Sequence, residues 1–78
     1  MVDVELKSFD NDIAELNCYP EGHKEEEFSM IVDLQDKKII NCSIETTCNS
    51  YVYHAARKMY EEFDKNGTLP DRTTAMWY

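Results

Sequence analysis

The sequence has little glycine or proline and lacks any apolar stretch long enough to span a bilayer. Its 78 residues include two glycines and two prolines, too few for a flexible low-complexity linker or a collagen-like repeat. No run approaches the roughly 18 apolar residues of a membrane-spanning helix. The first residues show neither the basic segment nor the apolar segment of a secretory signal. The expected compartment is therefore the cytoplasm.

Positive charge is also scarce in this chain. Eight basic residues stand against 16 acidic ones, which gives a net charge of −8, and the basic residues form no run. Binding to nucleic acid or to an anionic membrane surface draws on clustered Lys and Arg side chains. We therefore expect neither direct nucleic-acid binding nor docking to a membrane.

The three cysteines do not form an even set of the kind that staples small secreted proteins. Reduced thiols in a cytosolic protein are the simpler interpretation. Cys18, His23, Cys42, Cys48 and His54 could act as metal ligands, but no pair of cysteines has the close spacing of a structural zinc knuckle. We expect no metal and no cofactor, and a metal-stabilised domain remains a further alternative.

Motifs typical of enzymes are missing as well. The chain contains no glycine-rich phosphate-binding loop and no metalloprotease motif. Asp10-Asn11-Asp12 lacks the glycine and the distal glutamate of a calcium loop. Cys48 lies near the start of the predicted helix, but His54 projects from a different face and is poorly placed to activate it. We therefore expect a protein that is not an enzyme.

Apolar residues recur at regular intervals along most of the chain. Apolar and polar residues alternate with period two over residues 2–8, 13–19, 27–34 and 39–45, which predicts four strands. From Ser50 the apolar residues instead recur with the period of a helix, which predicts a helix over residues 49–66 that ends before Gly67. Residues 68–78 end in Met-Trp-Tyr, and we expect this tail to be ordered on the domain or on a partner.

Together these elements predict a single small α+β domain over residues 1–78. A four-stranded antiparallel β-meander is followed by one C-terminal helix, which packs on one face of the sheet. The predicted core comprises Val4, Leu6, Leu16, Phe28, Met30, Val32, Ile40, Ile44, Val52, Ala55, Ala56, Met59 and Phe63.

The negative charge is concentrated in the first part of the chain. Residues 1–27 hold nine of the acidic and two of the basic residues, a balance of −7, whereas residues 46–78 are neutral. The strand pattern places five carboxylates on the sheet face away from the helix: Asp3, Glu5, Glu15, Asp33 and Glu45. Such a face can simply be a solvated surface. The functional alternative is an acidic decoy that mimics nucleic acid and occupies the basic groove of a nucleic-acid-handling protein.

Aromatic residues border the predicted helix and tail. Tyr53 and Tyr60 lie one heptad apart on one flank of the apolar stripe, and Trp77 and Tyr78 end the tail. Tyrosines can border a core with the ring buried and the hydroxyl in water. Exposed aromatic residues are also enriched in interfaces. The first functional hypothesis is therefore a small protein-interaction module that uses this flank, either for self-association or for a protein partner whose identity the sequence does not give.

Overall fold

A computed structural model of the chain describes residues 1–47 and 49–77. In that part of the chain, a five-stranded antiparallel sheet packs against one α-helix. The elements are β1 (Val2–Asp10), β2 (Ile13–Pro20), β3 (Phe28–Asp33), β4 (Lys38–Cys42), α1 (Ser50–Asn66) and β5 (Arg72–Ala75). The strand order is β4-β3-β2-β1-β5. The α+β class is confirmed, whereas the prediction of four strands is wrong.

Helix α1 covers the apolar face of this sheet. It contributes Val52, Ala55, Ala56 and Met59, which are all buried. The strands, the turn after β3 and the tail supply the rest of the core: Val2, Val4, Ala14, Leu16, Cys18, Phe28, Met30, Val32, Leu34, Leu69 and Ala75. Leu6 and Phe63 are partly buried against this core. The opposite sheet face is left for polar side chains, as alternation requires.

Both ends of α1 are capped by residues suited to those positions. The side chain of Asn49 accepts a hydrogen bond from the backbone N–H of Val52 at 3.2 Å, which satisfies one of the unpaired donors of the first turn. Gly67 has a φ of 72° and donates its backbone N–H to the Phe63 carbonyl. Among the described residues, no helix is long and apolar enough to cross a membrane.

Strand β1 continues to Asp10, beyond the predicted end at residue 8, and contains an irregularity. The pairing with β2 shifts between Leu6 and Ser8, and an extra residue in a strand changes which face later side chains occupy. Phe9 therefore lies opposite the buried Ala14 and packs edge-to-face on Phe63, with ring centroids 5.9 Å apart. A strictly alternating pattern places Phe9 on the wrong face.

Strand β4 is shorter than predicted and also contains an irregularity. Val32 pairs with Ile39 and Ile31 pairs with Asn41, so Ile40 is an extra residue between them. Beyond Cys42, the hydroxyl of Ser43, rather than a backbone carbonyl, accepts the N–H of Ser29 at 2.9 Å. The regular ladder therefore ends at Cys42. The predictions that Ile40 and Ile44 are core residues are wrong, since these side chains are 51% and 40% exposed.

The C-terminal tail supplies the fifth strand. β5 pairs antiparallel with β1, with Val2 opposite Ala75 and Glu5 opposite Arg72. Ala75 is buried at the sheet, and Leu69 is buried where the chain leaves the helix. The helix is therefore followed by a strand, and β1 becomes an interior strand of the sheet rather than an edge.

Candidate protein-interaction surface

Two of the predicted acidic residues lie on the outer sheet face in contact with β5. The carboxylate of Glu5 accepts hydrogen bonds from Arg72 at 2.7 Å and from the hydroxyl of Tyr19 at 3.2 Å. Asp3 accepts a hydrogen bond from the Thr74 hydroxyl at 2.8 Å. Loss of solvation, followed by the charges of nearby glutamates, raises the pKa of Tyr19. Arg72 thus brings a cation into a face that the four-strand arrangement leaves almost wholly acidic.

Glu15 and Asp33, two further residues of the predicted acidic face, differ in position and in contacts. Glu15 lies on β2 opposite Ile31 of β3, on the outer face. Asp33 is the last residue of β3. Its Oδ1 accepts hydrogen bonds from the backbone N–H groups of two loop residues, Gln35 and Asp36, each at 3.0 Å. This side chain therefore shapes the turn into β4.

The placement of Glu45 on the acidic sheet face is wrong. β4 ends three residues earlier, at Cys42, so Glu45 lies in the loop that leads to α1. Its carboxylate accepts the backbone N–H of Thr47 at 3.2 Å. Hydrogen bonds from Thr47 lower the pKa of Glu45, because they favour the charged form.

The predicted aromatic residues lie on different sides of α1. Tyr53 and Tyr60 lie on the side next to β4. Trp77 lies on the side next to β5, where its ring stacks on His54 with centroids 4.1 Å apart and meets Tyr51 edge-on at 5.7 Å. Tyr78 lies outside the described residues. Both helix tyrosines therefore line one groove, and His54, which meets Tyr53 edge-on at 4.9 Å, lies between Tyr53 and Trp77.

The helix tyrosines belong to a larger apolar surface beside β4. We define the β4-side surface as Ile39, Ile40, Ile44, Tyr53 and Tyr60. Tyr53 is 56% exposed, and Ile40 and Ile44 are the exposed isoleucines described above. Two grooves run across this surface, one of about 430 Å³ between α1 and β4 and one of about 460 Å³ along β4. Both grooves are lined by Ile39, so the surface is continuous.

Basic side chains line the groove between α1 and β4. Lys37 forms an ion pair with Asp64 at 2.7 Å, which ties the loop before β4 to the last turns of the helix. Arg57 pairs with Glu61 at 3.0 Å. Lys38 has its neighbouring carboxylate, on Asp36, at 4.0 Å. Each of these basic groups thus has a carboxylate within 4.0 Å, while the residues that line the groove itself include basic side chains and no acidic one.

Tyr60 forms the inner wall of the same groove. It is partly buried against the core. Burial raises the pKa of Tyr60, and the charge of Asp33 adds to the rise. The tyrosine is therefore a neutral, largely apolar wall at physiological pH, and its position favours contact with apolar groups.

The backbone edge of β4 is unsuited to pairing with another strand. Ser29 and Ser43 form a hydrogen-bonded pair, so Cys42, one residue earlier, points its N–H away from the sheet. That N–H is occupied by the side chain of Asn41 at 2.9 Å. The extra residue at Ile40 and the charge of Lys38 also interrupt the edge, and both are features that oppose strand addition. A partner at this surface would therefore bind through side chains.

The thiols and imidazoles do not come together as a reactive site in the part of the chain that the structure describes. Cys18 is buried, and burial, with a smaller effect from Cys42, raises the pKa of Cys18 to about 12. His23 contacts Glu26 at 3.1 Å, while His54 stacks on Trp77. Residues 1–47 and 49–77 contain no group of three or more candidate ligands that could hold a metal. Cys48, the remaining predicted ligand, lies outside the described residues.

Comparisons with protein-family models, with curated proteins and with solved structures find no match to this chain.

The helical periodicity predicted Tyr53 and Tyr60 as interaction residues, but no periodic pattern pointed to the isoleucines that complete the surface. Ile40 and Ile44 alternate with polar residues, and this pattern assigned them to the core. The extra residue in β4 breaks that alternation. The adjacent Lys37 and Lys38 were the available signal, because lysines commonly mark an exposed sheet edge.

Proposed function

We propose that this protein is a non-enzymatic interaction module that binds a protein partner through the β4-side surface. The observation that carries the proposal is a continuous apolar surface in which the exposed Ile40, Ile44 and Tyr53 adjoin the partly buried Ile39 and Tyr60. Scattered apolar residues are ordinary on protein surfaces, whereas a contiguous group with a polar rim is typical of interaction sites. Burying the exposed half of each large side chain would contribute on the order of 1 kcal/mol.

The chemistry of the surface defines the partner. Apolar side chains would occupy the grooves on either side of Ile39. Carboxylates would lie near the rim formed by Lys37, Lys38 and Arg57, because complementary charge orients an encounter and disfavours wrong partners. The partner is therefore a folded protein surface with apolar projections and nearby acidic groups.

The state of the reactive groups supports a binding role over a catalytic one. The Cys18 thiol is buried with a raised pKa, which leaves it protonated and a poor nucleophile. The arginine and the glutamates near the grooves pair with oppositely charged neighbours or with backbone N–H groups. These ion pairs and hydrogen bonds stabilise the local structure of the surface.

Site-specific photo-crosslinking tests this proposal. A photoreactive amino acid replaces Ile40 in the full chain, in the cell that makes the protein, and mass spectrometry identifies the crosslinked peptide. We expect one defined protein adduct whose attachment site is an apolar residue, and we expect Tyr53→Ser to reduce its yield. A probe at Glu15, on the outer sheet face, is the matched control.

The outcomes separate the candidate functions. An adduct from Ile40 that depends on Tyr53 supports the proposed module. Adducts from Glu15 to a basic nucleic-acid-handling protein, without adducts from Ile40, would contradict it in favour of the acidic decoy. Absence of a protein adduct from Ile40 would also contradict the proposal.

A further inference from the structure

We propose that the partner at the β4-side surface is a second copy of this chain, related by a two-fold axis that sets the two β4 strands antiparallel. This inference rests on the proposed function, because it names the occupant of the same surface. Three features carry it: opposite charges at the two ends of the surface, apolar side chains between them, and a closed backbone edge.

The first feature is the charge at the start of β4. Lys37 and Lys38 lie at this end. Lys37 is held by Asp64 at 2.7 Å, whereas Lys38 is 4.0 Å from Asp36. The ammonium group of Lys38 therefore retains capacity for a second carboxylate, since three N–H donors are available on it.

A negative charge lies at the other end of the surface. Glu45 follows β4 and lines the same groove as Ile39 and Ile44. Its hydrogen bond from Thr47 fixes the position of the carboxylate and lowers the pKa of Glu45. One oxygen accepts from Thr47, and the carboxylate as a whole has further acceptor sites.

An antiparallel arrangement makes the surface complementary to itself. We place the two-fold axis near Asn41 and Cys42 of both copies, so that Lys38 of each copy lies beside Glu45 of the other. The same alignment brings Ile39 of one copy beside Ile44 of the second copy, with Ile40 next to this pair. A parallel arrangement would instead place like charges together, which is unfavourable.

The blocked edge of β4 determines the kind of assembly. Because the Asn41 side chain occupies the outward N–H of Cys42, the two copies contact through side chains and do not form a continuous sheet. A two-fold contact uses the same surface on both copies and closes on itself, so the product is a dimer rather than a fibre.

The size of the chain also favours self-association. Its accessible surface is 4895 Å², and a standard interface covers about 800 Å² on each partner. Such a contact would cover about one sixth of the surface. A small domain has a thin core, and dimerisation adds apolar burial that the single chain cannot provide.

Sedimentation equilibrium with a charge-swap series tests the dimer. We expect the wild-type protein to dimerise, and we expect Lys38→Glu and Glu45→Lys each to raise the dimer Kd by about tenfold or more, because each dimer contains two such pairs. The double variant Lys38→Glu/Glu45→Lys should return the Kd to within about threefold of wild type. Rescue of this kind requires the two side chains to meet across the interface.

Controls separate this contact from net charge and from folding. Lys24→Glu and Glu25→Lys make the same changes in net charge at exposed positions in the turn between β2 and β3, and they should leave the Kd unchanged. Glu45→Gln keeps an acceptor for Thr47 and should weaken the dimer less than Glu45→Lys. A monomer at all concentrations up to about 1 mM, or a double variant that shows no recovery, would overturn the inference.

Failure of the dimer can be distinguished from failure of the proposed function. A monomer whose Ile40 probe crosslinks to a different protein would refute self-association and leave the interaction module intact. A monomer with no adduct from Ile40 would refute both.

Discussion

Neighbouring threonines in β5 are expected to tolerate proline very differently. Leu6 donates its backbone N–H to the Asp71 carbonyl at 2.8 Å, and Val4 lies opposite Thr73. Because hydrogen-bonded pairs alternate along an antiparallel ladder, Thr73 points its N–H at Val4, whereas Thr74 points its N–H away from the sheet. Proline has no N–H, so Thr73→Pro removes a ladder bond and Thr74→Pro removes none.

The sizes of the two effects follow from these contacts. Thr73→Pro leaves the Val4 carbonyl without its partner and forces the ring against β1, at a total cost of about 3 kcal/mol. Thr74→Pro loses the hydroxyl bond to Asp3 on an exposed edge, which costs about 1 kcal/mol. The difference of about 2 kcal/mol corresponds to roughly 8–16 °C in Tm for a domain of this size.

Urea unfolding followed by circular dichroism, at one fixed protein concentration, measures the difference. Thr74→Val serves as the control, since it removes the hydroxyl and keeps the backbone N–H. Equal destabilisation by the two prolines, or a larger loss for Thr74→Pro, would refute the register of β5 on β1.

Three further predictions concern single side chains. Gly67→Ala should lower the free energy of unfolding by about 1 kcal/mol, because φ is 72° at this position. The cost comes from the backbone conformation alone, since an added Cβ meets no atom within 4 Å. An unchanged urea midpoint would contradict the role of Gly67 at the helix end. Asp33→Ala should cost about 1–2 kcal/mol more than Asp33→Asn in the same assay, since asparagine keeps the oxygen that accepts two backbone N–H groups; equal losses would show that the charge matters instead. Burial raises the pKa of Cys18 to about 12. The stabilisation by the protonated thiol is therefore complete below the unfolded-state pKa of about 8.5. It is lost as pH rises toward 12, by up to about 1.4 kcal/mol per pH unit. Stability measured between pH 8 and 11 should therefore fall more steeply in the wild type than in Cys18→Ala, and parallel curves would count against a buried neutral thiol.

Periodicity predicted those elements whose stability comes from one continuous apolar face. The alternation around Phe28, Met30 and Val32 and the helical spacing from Val52 to Met59 each reflect burial against the other element. Such patterns are carried by neighbouring residues, so they can be read without knowing the tertiary structure.

Features that depend on distant partners were missed. β5 is four residues long and has only one buried side chain, Ala75, so its strand structure depends on the hydrogen bonds that β1 offers. The contact between Arg72 and Glu5 joins residues 67 positions apart. It changes the charge of the outer sheet face, and no local pattern indicates it.

The sequence predicted the tyrosines of the candidate site but not its isoleucines, because the exposure of the isoleucines also depends on how β4 pairs with β3. Tyr53 and Tyr60 follow from helical spacing, but the exposure of Ile40 depends on an extra residue in β4. Alternation assumes that every residue has one partner across the strand, so it fails at such a position. The interaction surface therefore lies where the regular pattern breaks.

The crosslinked product formed from Ile40 tests the central claim most directly. We expect one defined protein adduct that forms at Ile40, depends on Tyr53 and is absent from the outer-face probe at Glu15. Absence of an adduct at Ile40, or equal labelling from both positions, would contradict the assignment of the β4-side surface as a protein-binding site.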